Sequence, residues 1–455
     1  MAFGFFKKRE YADIVFKNGT IYTMDPNQPQ VEAVACKDGM ILLAGDEDDM
    51  EALTGPNTEV VDLEGQFLLP GFIKLRSAQA QLAFSKLCHT FPEWTASGLD
   101  GLTKAVKQVL PKFKKEDSIF LYGGFHYQLG ALSMGEIHDA LDQVCPDRPL
   151  LILLTDCTAC LMNTAAIEVV KASAEEEGIR NISLDYIVSV IAPLDFEPYQ
   201  AYIDQQNRTL TKEGFTTVHD CGSFDYPQTI YRGELQERMM EDQMTQRYLA
   251  SYVMMEQEDP DLVLHKIRQR QTDCIELEGM IQCNGLHICL MPMTITTDTA
   301  TETVLNFDSE LLQKLAVDAA DIGCDFTFTA KSQEALEAAA EAVGEIRDSG
   351  YKKNAAVLDY DDALSDKEIY EYVSEEDVVL WKDIDPSKAT SVEQLLDRLT
   401  IDAAAALGVE SQIGSIQKGK AADFTVLPKD PYKGSVEDFH KQKVSFTVLN
   451  GRIIS

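Results

Sequence analysis

The stretch Leu68-Leu69-Pro70-Gly71-Phe72-Ile73-Lys74-Leu75-Arg76-Ser77-Ala78 decides how the rest of this 455-residue chain is read. An apolar run meets a Pro-Gly break, resumes with Phe72-Ile73, and then carries Lys74, Arg76 and Ala78. An arginine is always charged and has no lone pair to give a metal, and alanine has no ligand atom at all. What the stretch lacks is therefore as informative as what it holds.

Outward toward the N-terminus, short strands alternate with tight-turn signals. Ile14-Val15-Phe16 leads into Asn18-Gly19, and Val34-Ala35-Cys36 leads into Asp38-Gly39. Asn-Gly and Asp-Gly supply the positive φ values that two-residue hairpins need, which predicts a small antiparallel sheet. The same grammar returns at the far end, where Phe446-Thr447-Val448-Leu449 turns through Asn450-Gly451 into Arg452-Ile453-Ile454. Two half-sheets at opposite ends of a chain can hide their apolar faces by packing together. The prediction is a composite β-sandwich of residues 10–68 with 409–455, and a larger domain of residues 69–408 inserted between them.

That middle region alternates short apolar runs with helical stretches. Ile119–Tyr122, Leu150–Leu154, Thr216–His219, Tyr248–Met255, Ile281–Leu290, Asp325–Phe328, Ala355–Leu358 and Val378–Trp381, with Leu69–Ile73, give about eight or nine strands. Continuous apolar runs suit parallel strands covered on both faces, so the fold class read here is α/β, a TIM-like barrel, shortened.

Val15-Phe16-Lys17-Asn18-Gly19-Thr20-Ile21-Tyr22-Thr23-Met24-Asp25, the opening stretch quoted above, Ile413-Gly414-Ser415-Ile416-Gln417-Lys418-Gly419-Lys420-Ala421-Ala422-Asp423 and Val448-Leu449-Asn450-Gly451-Arg452-Ile453 closely resemble the amidohydrolase superfamily, and its YtcJ-like branch most of all. The resemblance implies a metal-dependent barrel hydrolase of amide-type C–N bonds. Pro-Gly-Phe-Ile would be followed by Asp-x-His-x-His, yet Lys74, Arg76 and Ala78 stand there. By the same resemblance Thr329 stands where one strand should end in His, Tyr360 replaces a second His, and Met280 falls near a bridging Lys. Asp383, in Trp381-Lys382-Asp383, is a candidate remnant of the catalytic Asp. A metal site needs about three to five protein ligands. Loss at Arg76, Ala78, Met280, Thr329 and Tyr360 together leaves too few, and Arg76 entering such a site needs an anion, with Asp383 the expected partner.

Other residues carry chemistry of their own. His219-Asp220 at a strand end is either an acid/base couple or a structural pair closing the strand. Cys283, His287 and Cys289 alternate onto one strand face, a spacing that admits a rearranged zinc site, although buried cysteines beside a core histidine need no metal. Cys157 and Cys160 form a lone pair of cysteines without a second pair, and the acidic run Asp359-Tyr360-Asp361-Asp362 lacks the loop spacing of a calcium hand.

Composition bounds the partners. Lys and Arg number 40 against 75 Asp and Glu, a formal net charge of −35. That argues against nucleic acid and anionic membrane, which need a basic face. No apolar run approaches the ~18 residues of a membrane span. Phe3-Gly4-Phe5-Phe6 is too short for a signal core, and ten scattered cysteines suit a reducing cytoplasm. The sequence thus predicts an acidic, cytoplasmic, non-catalytic amidohydrolase-like protein without a cofactor. It would act as a structural or regulatory subunit, forming a homo-oligomer or binding a protein partner, or would hold a small molecule in its barrel. The alternative is an active hydrolase with zinc in a rearranged site, or no metal, built on Asp383, His219 and Asp220.

Overall fold

Gly71 is the point where the chain leaves one sheet and enters another. Phe67–Pro70 pairs with Thr20–Tyr22 on one side and Phe424–Leu427 on the other, whereas Phe72–Ser77 opens a separate parallel sheet. The Gly71 N–H donates to the Asp423 carbonyl at 2.8 Å. A Cβ at this position would collide with the Thr216 side chain, so only glycine fits the crossing. The computed structural model describes residues 11–91, 98–115, 117–123, 132–154, 160–180, 182–192, 196–222, 225–255, 257–274, 277, 279–296, 301–351, 355–360 and 378–455. The Phe3–Phe6 start, Cys157 and Asp361-Asp362 lie outside these residues.

The parallel sheet runs β1 (Phe72–Ser77), β2 (Phe215–Asp220), β3 (Arg247–Met254), β4 (Ile281–Leu290), β5 (Asp325–Ala330), β6 (Ala355–Tyr360) and β7 (Val378–Leu380), in chain order and all parallel. It curls into a seven-stranded half-barrel whose end strands, β1 and β7, do not pair with each other among the described residues. This corrects the expected closed barrel of eight or nine strands. Ile119–Tyr122 and Leu150–Leu153 belong instead to a second sheet with His89–Thr90 and Cys160–Met162. The reason is physical: Leu150 and Ile152 feed one apolar cluster, while Leu151 and Leu153 feed another. A strand buried on both faces reads the same whichever sheet owns it.

Helices cover the convex face. Pro260–Asp273, Ser309–Asp321 and the Ala-rich Gln333–Asp348 bury their apolar stripes against Leu286, Ile288, Phe326 and Phe328. Gln79–Leu87, Phe196–Lys212 and Asp225–Met240 cover β2 and β3, with Tyr231 meeting Tyr248 edge to face at 4.9 Å. From Ser391 to Gly408 the sequence reads as one helix, opening on a Ser391-Val392-Glu393-Gln394 capping box and closing on Gly408. Ser391 does cap it, accepting from Gln394 N, but buried Thr400 breaks it into Val392–Leu399 and Ile401–Ala406. The second piece packs with Ile73, Leu75, Leu249, Ala356 and Leu358 and fills much of the concavity.

At the chain's two ends, Asp38-Gly39 and Asn450-Gly451 close the expected hairpins, whereas the strands flanking Asn18-Gly19, Ile14–Lys17 and Thr20–Tyr22, enter different sheets; Asn18, Asp38 and Asn450 all take positive φ. One sheet joins Gln30–Val31, Thr20–Tyr22 and Phe67–Pro70 to Phe424–Leu427, Phe446–Leu449 and Arg452–Ile453. A second contains Met40–Gly45, Ala33–Lys37, Ile14–Lys17 and Glu59–Asp62. Phe16, Ile21, Leu68, Phe424 and Val448 share one apolar cluster across the two. Arg247, at the start of β3, is bound to Asp423 at 3.0 Å with both side chains almost fully buried, and this ties the half-barrel to the mixed sheet.

Candidate functional site

The strand-end positions are shaped first by an irregularity in β1. Lys74 pairs with Val218, but Ser77 pairs with Asp220, so β1 spends one more residue than β2 over the same distance. Arg76 absorbs the difference with φ at 52°, a left-handed conformation uncommon for a side-chain-bearing residue. The bulge turns its guanidinium out to lie 5.1 Å from the Trp381 ring centroid. Asp383 sits two residues further along the same short helix, Trp381–Ile384, and is exposed. Ala78 is the residue before the helix Gln79–Leu87, where it offers no side-chain cap.

Deeper inside the sheet, hydroxyl groups meet two imidazoles. His219 on β2 lies 3.0 Å from Ser251 Oγ through Nε2, and its Nδ1 has no hydrogen-bond partner among the described residues. His287 on β4 holds Thr327 Oγ1 at 2.8 Å through Nδ1 and Thr329 Oγ1 at 3.1 Å through Nε2. Ser251 can approach because Gly285 opposes it; a Cβ there would strike the serine. Burial pushes the His219 pKa down to about 3, with the nearby His287 adding to the effect, so His219 is a neutral, weakly basic ring.

His219 and Asp220 do not act as a couple. Consecutive strand residues face opposite sides, and Asp220 turns away to accept from Tyr248 Oη at 3.0 Å and from Gly222 N at 2.9 Å. Burial drives the Tyr248 hydroxyl pKa upward, with the Asp220 charge next, which keeps that proton in place. Asp220 thereby clasps the start of the next segment.

Met280 precedes β4 and packs under the convex helices, at the opposite end of that strand from His287 and Cys289. Thr329 stands near the C-terminal end of β5, and Tyr360 closes β6 in register with Ala330. The three residues once aligned for zinc are separated by a second bulge, at Gln282–Gly285. It turns Cys283 to the convex side, 3.2 Å from the Cys274 thiol, while His287 faces the threonines. The Cys274 hydrogen bond, aided by Arg232 and Arg270 and opposed by burial, brings the Cys283 pKa down to about 7.

The donor set does not suit the metal that the strand-end positions would hold in a relative. Arg76, Ala78 and Thr329 carry no imidazole, His287 has both nitrogens against hydroxyls, and no cluster of three or more His, Cys, Asp or Glu among the described residues is arranged as a metal site. The cavity beside His219, Ser251 and Thr327 holds about 50 Å³, room for a water or two rather than an organic substrate. The hydroxyl lining went unread from sequence, although Thr327 and Thr329 alternate onto one face and Ser251 interrupts an apolar strand.

A parallel β/α half-barrel flanked by sheets built from the chain's ends is an architecture of the amidohydrolase TIM-like kind. The amidohydrolase family model matches residues 59–376 and 373–455, and the chain belongs to that family. It is 28% identical over 173 residues to the exoenzymes regulatory protein AepA of Pectobacterium carotovorum, covering 38% of this chain and 37% of that one. It is 26% identical over 165 residues to an N-substituted formamide deformylase of Arthrobacter pascens, covering 36% and 30%. To the putative amidohydrolase YtcJ of Bacillus subtilis it is 28% identical over 162 residues, covering 34% and 29%. The matches thus span well under half the length of these relatives. An uncharacterized metal-dependent hydrolase from Pyrococcus horikoshii shares the fold, with a TM-score of 0.54 and 16% identity over 93% of this chain and 99% of that one.

Proposed function

We propose that this chain is a non-catalytic amidohydrolase-fold protein, acting as a structural or regulatory subunit in a homo-oligomer or with a protein partner. One observation carries the reading: the two imidazoles inside the half-barrel are turned to hydroxyl partners, and the strand-end positions hold Arg76, Ala78 and Thr329. A relative named as a regulatory protein is in keeping with it. The direct test is metal content of the native, untagged protein by plasma mass spectrometry. The expected result is below about a tenth of an equivalent of zinc, iron or manganese, against the three or more ligands that a catalytic site uses. Near-stoichiometric metal with turnover of N-substituted formamides would overturn the proposal.

One contact favours a second reading, a metal-free hydrolase in which His219 activates Ser251 across 3.0 Å. The low basicity of His219 counts against it, since a general base works best with a pKa near the working pH. Under that reading, Ser251→Ala abolishes an amide- or ester-cleaving activity that the unaltered protein displays.

A further inference from the structure

Along β1, reaching Phe215 at the start of β2, runs a groove of about 950 Å³. Its basic lining is Lys74, Arg76, Lys212, Arg398, Lys441 and Lys443, of which Lys441 is paired with Glu437 at 2.6 Å, and the carboxylates among the described lining residues are Glu213 and Asp385. The chain as a whole has nearly the reverse ratio, 40 basic to 75 acidic residues. Asp385 is partly committed already, its side chain accepting from Ser387 N at 2.9 Å. Lys212 and Lys443 have no ion-pair partner among the described residues, and the Lys74 ammonium rests 5.4 Å from the Phe215 ring centroid. The floor is apolar: Phe72 meets Phe215 at 6.2 Å and Phe439 at 6.0 Å between ring centroids, with Leu395 and Leu399 beside them.

We propose that this groove binds a small organic anion with an apolar, ring-sized body, its charged group among Lys74, Lys212 and Lys443 and its body on the Phe72–Phe215–Phe439 floor. The volume lies at the upper end of small-molecule sites, roughly 300–1,000 Å³. Desolvating an anion is offset only where cations converge on it. A polyanion is disfavoured because the field of a chain at −35 repels it beyond the groove's short reach. The site lies apart from the His219 and His287 cluster, so it stands whether or not the half-barrel is catalytic.

Fluorescence titration of the full chain with pyrenebutyrate tests the assignment, with uncharged pyrenebutanol as the control. The expected result is one saturable site for the anion and affinity for the alcohol weaker by about tenfold or more, the scale of one good charge-assisted contact. The exposed pair Lys212→Gln/Lys443→Gln should weaken pyrenebutyrate about tenfold and leave pyrenebutanol unchanged. Phe439→Ala should weaken both probes, and an unaltered circular dichroism spectrum confirms that each variant folds. Equal binding of acid and alcohol, no saturation by about 1 mM (the weak limit of specific affinity), or indifference to the lysine pair would each overturn the proposal.

Discussion

His219 makes a prediction about acid. Its pKa is about 3 in the fold, against 6.5 for a free imidazole, because burial disfavours the charged ring. Between those values the unfolded chain takes up a proton that the folded chain refuses, so stability rises with pH across this window and falls on acidification. Each pH unit inside it is worth up to about 1.4 kcal/mol. Urea unfolding at pH 6.5 and pH 5.0 should therefore show a loss of about 2 kcal/mol in the unaltered protein that is absent from His219→Gln. Equal losses in the two proteins would refute this account of the ring. That Arg76, Ala78 and Thr329 offer no imidazole was legible, because residue type alone decides which ligand atoms a side chain carries. The partners of His219 and His287 were not: they depend on the register between β2 and β3 and between β4 and β5, a long-range property that no local residue pattern fixes. Asp220 facing away from His219 was readable in principle from alternation alone.

Elements were read best where turn chemistry is local and least well where ownership of a strand is a long-range matter. The hairpins at Asp38 and Asn450 follow from the conformations those residues tolerate, while the turn at Asn18, equally positive in φ, passes the chain from one sheet to another. Leu69–Ile73 reads in the sequence as one strand, but Gly71 divides it between two sheets. Replacing Gly71 with Ala forces a methyl group against Thr216 and should cost about 1–3 kcal/mol, the usual range for overpacking, read as a lowered urea midpoint. Arg247 and Asp423 test the same junction. Asp423 accepts from Arg247 Nε at 3.0 Å and from Asn450 N at 2.8 Å in a nearly dry setting. Asp423→Ala strands a buried guanidinium and should cost about 3–5 kcal/mol. The double variant Arg247→Met/Asp423→Leu should recover much of that loss; additive losses would mean that packing, not charge, dominates the junction.

Across the whole molecule, charge sets the behaviour. A chain at −35 repels itself when compact. Raising ionic strength from about 0.01 M to 0.1 M shortens the screening length from about 30 Å to 10 Å. The midpoint of thermal unfolding should therefore rise with sodium chloride over this range, and a flat or falling midpoint would show that attractive pairs outweigh repulsion. No described helix is long and apolar enough to cross a membrane.

The union of the two chain ends has a consequence for how this protein is born. Tyr22 donates to Asp430 at 3.1 Å across 408 residues of sequence, and Phe67–Pro70 sits in its sheet with Phe424–Leu427 as one neighbour. At about 5–20 residues per second, a ribosome takes roughly 20–80 s to supply the second partner after the first. Throughout that interval the edge of Phe67–Pro70 and the apolar faces of Ile21 and Leu68 are open to any passing strand. Nascent chains stalled before Phe424 should accordingly engage chaperones through their opening segment, and release them once the last strands emerge.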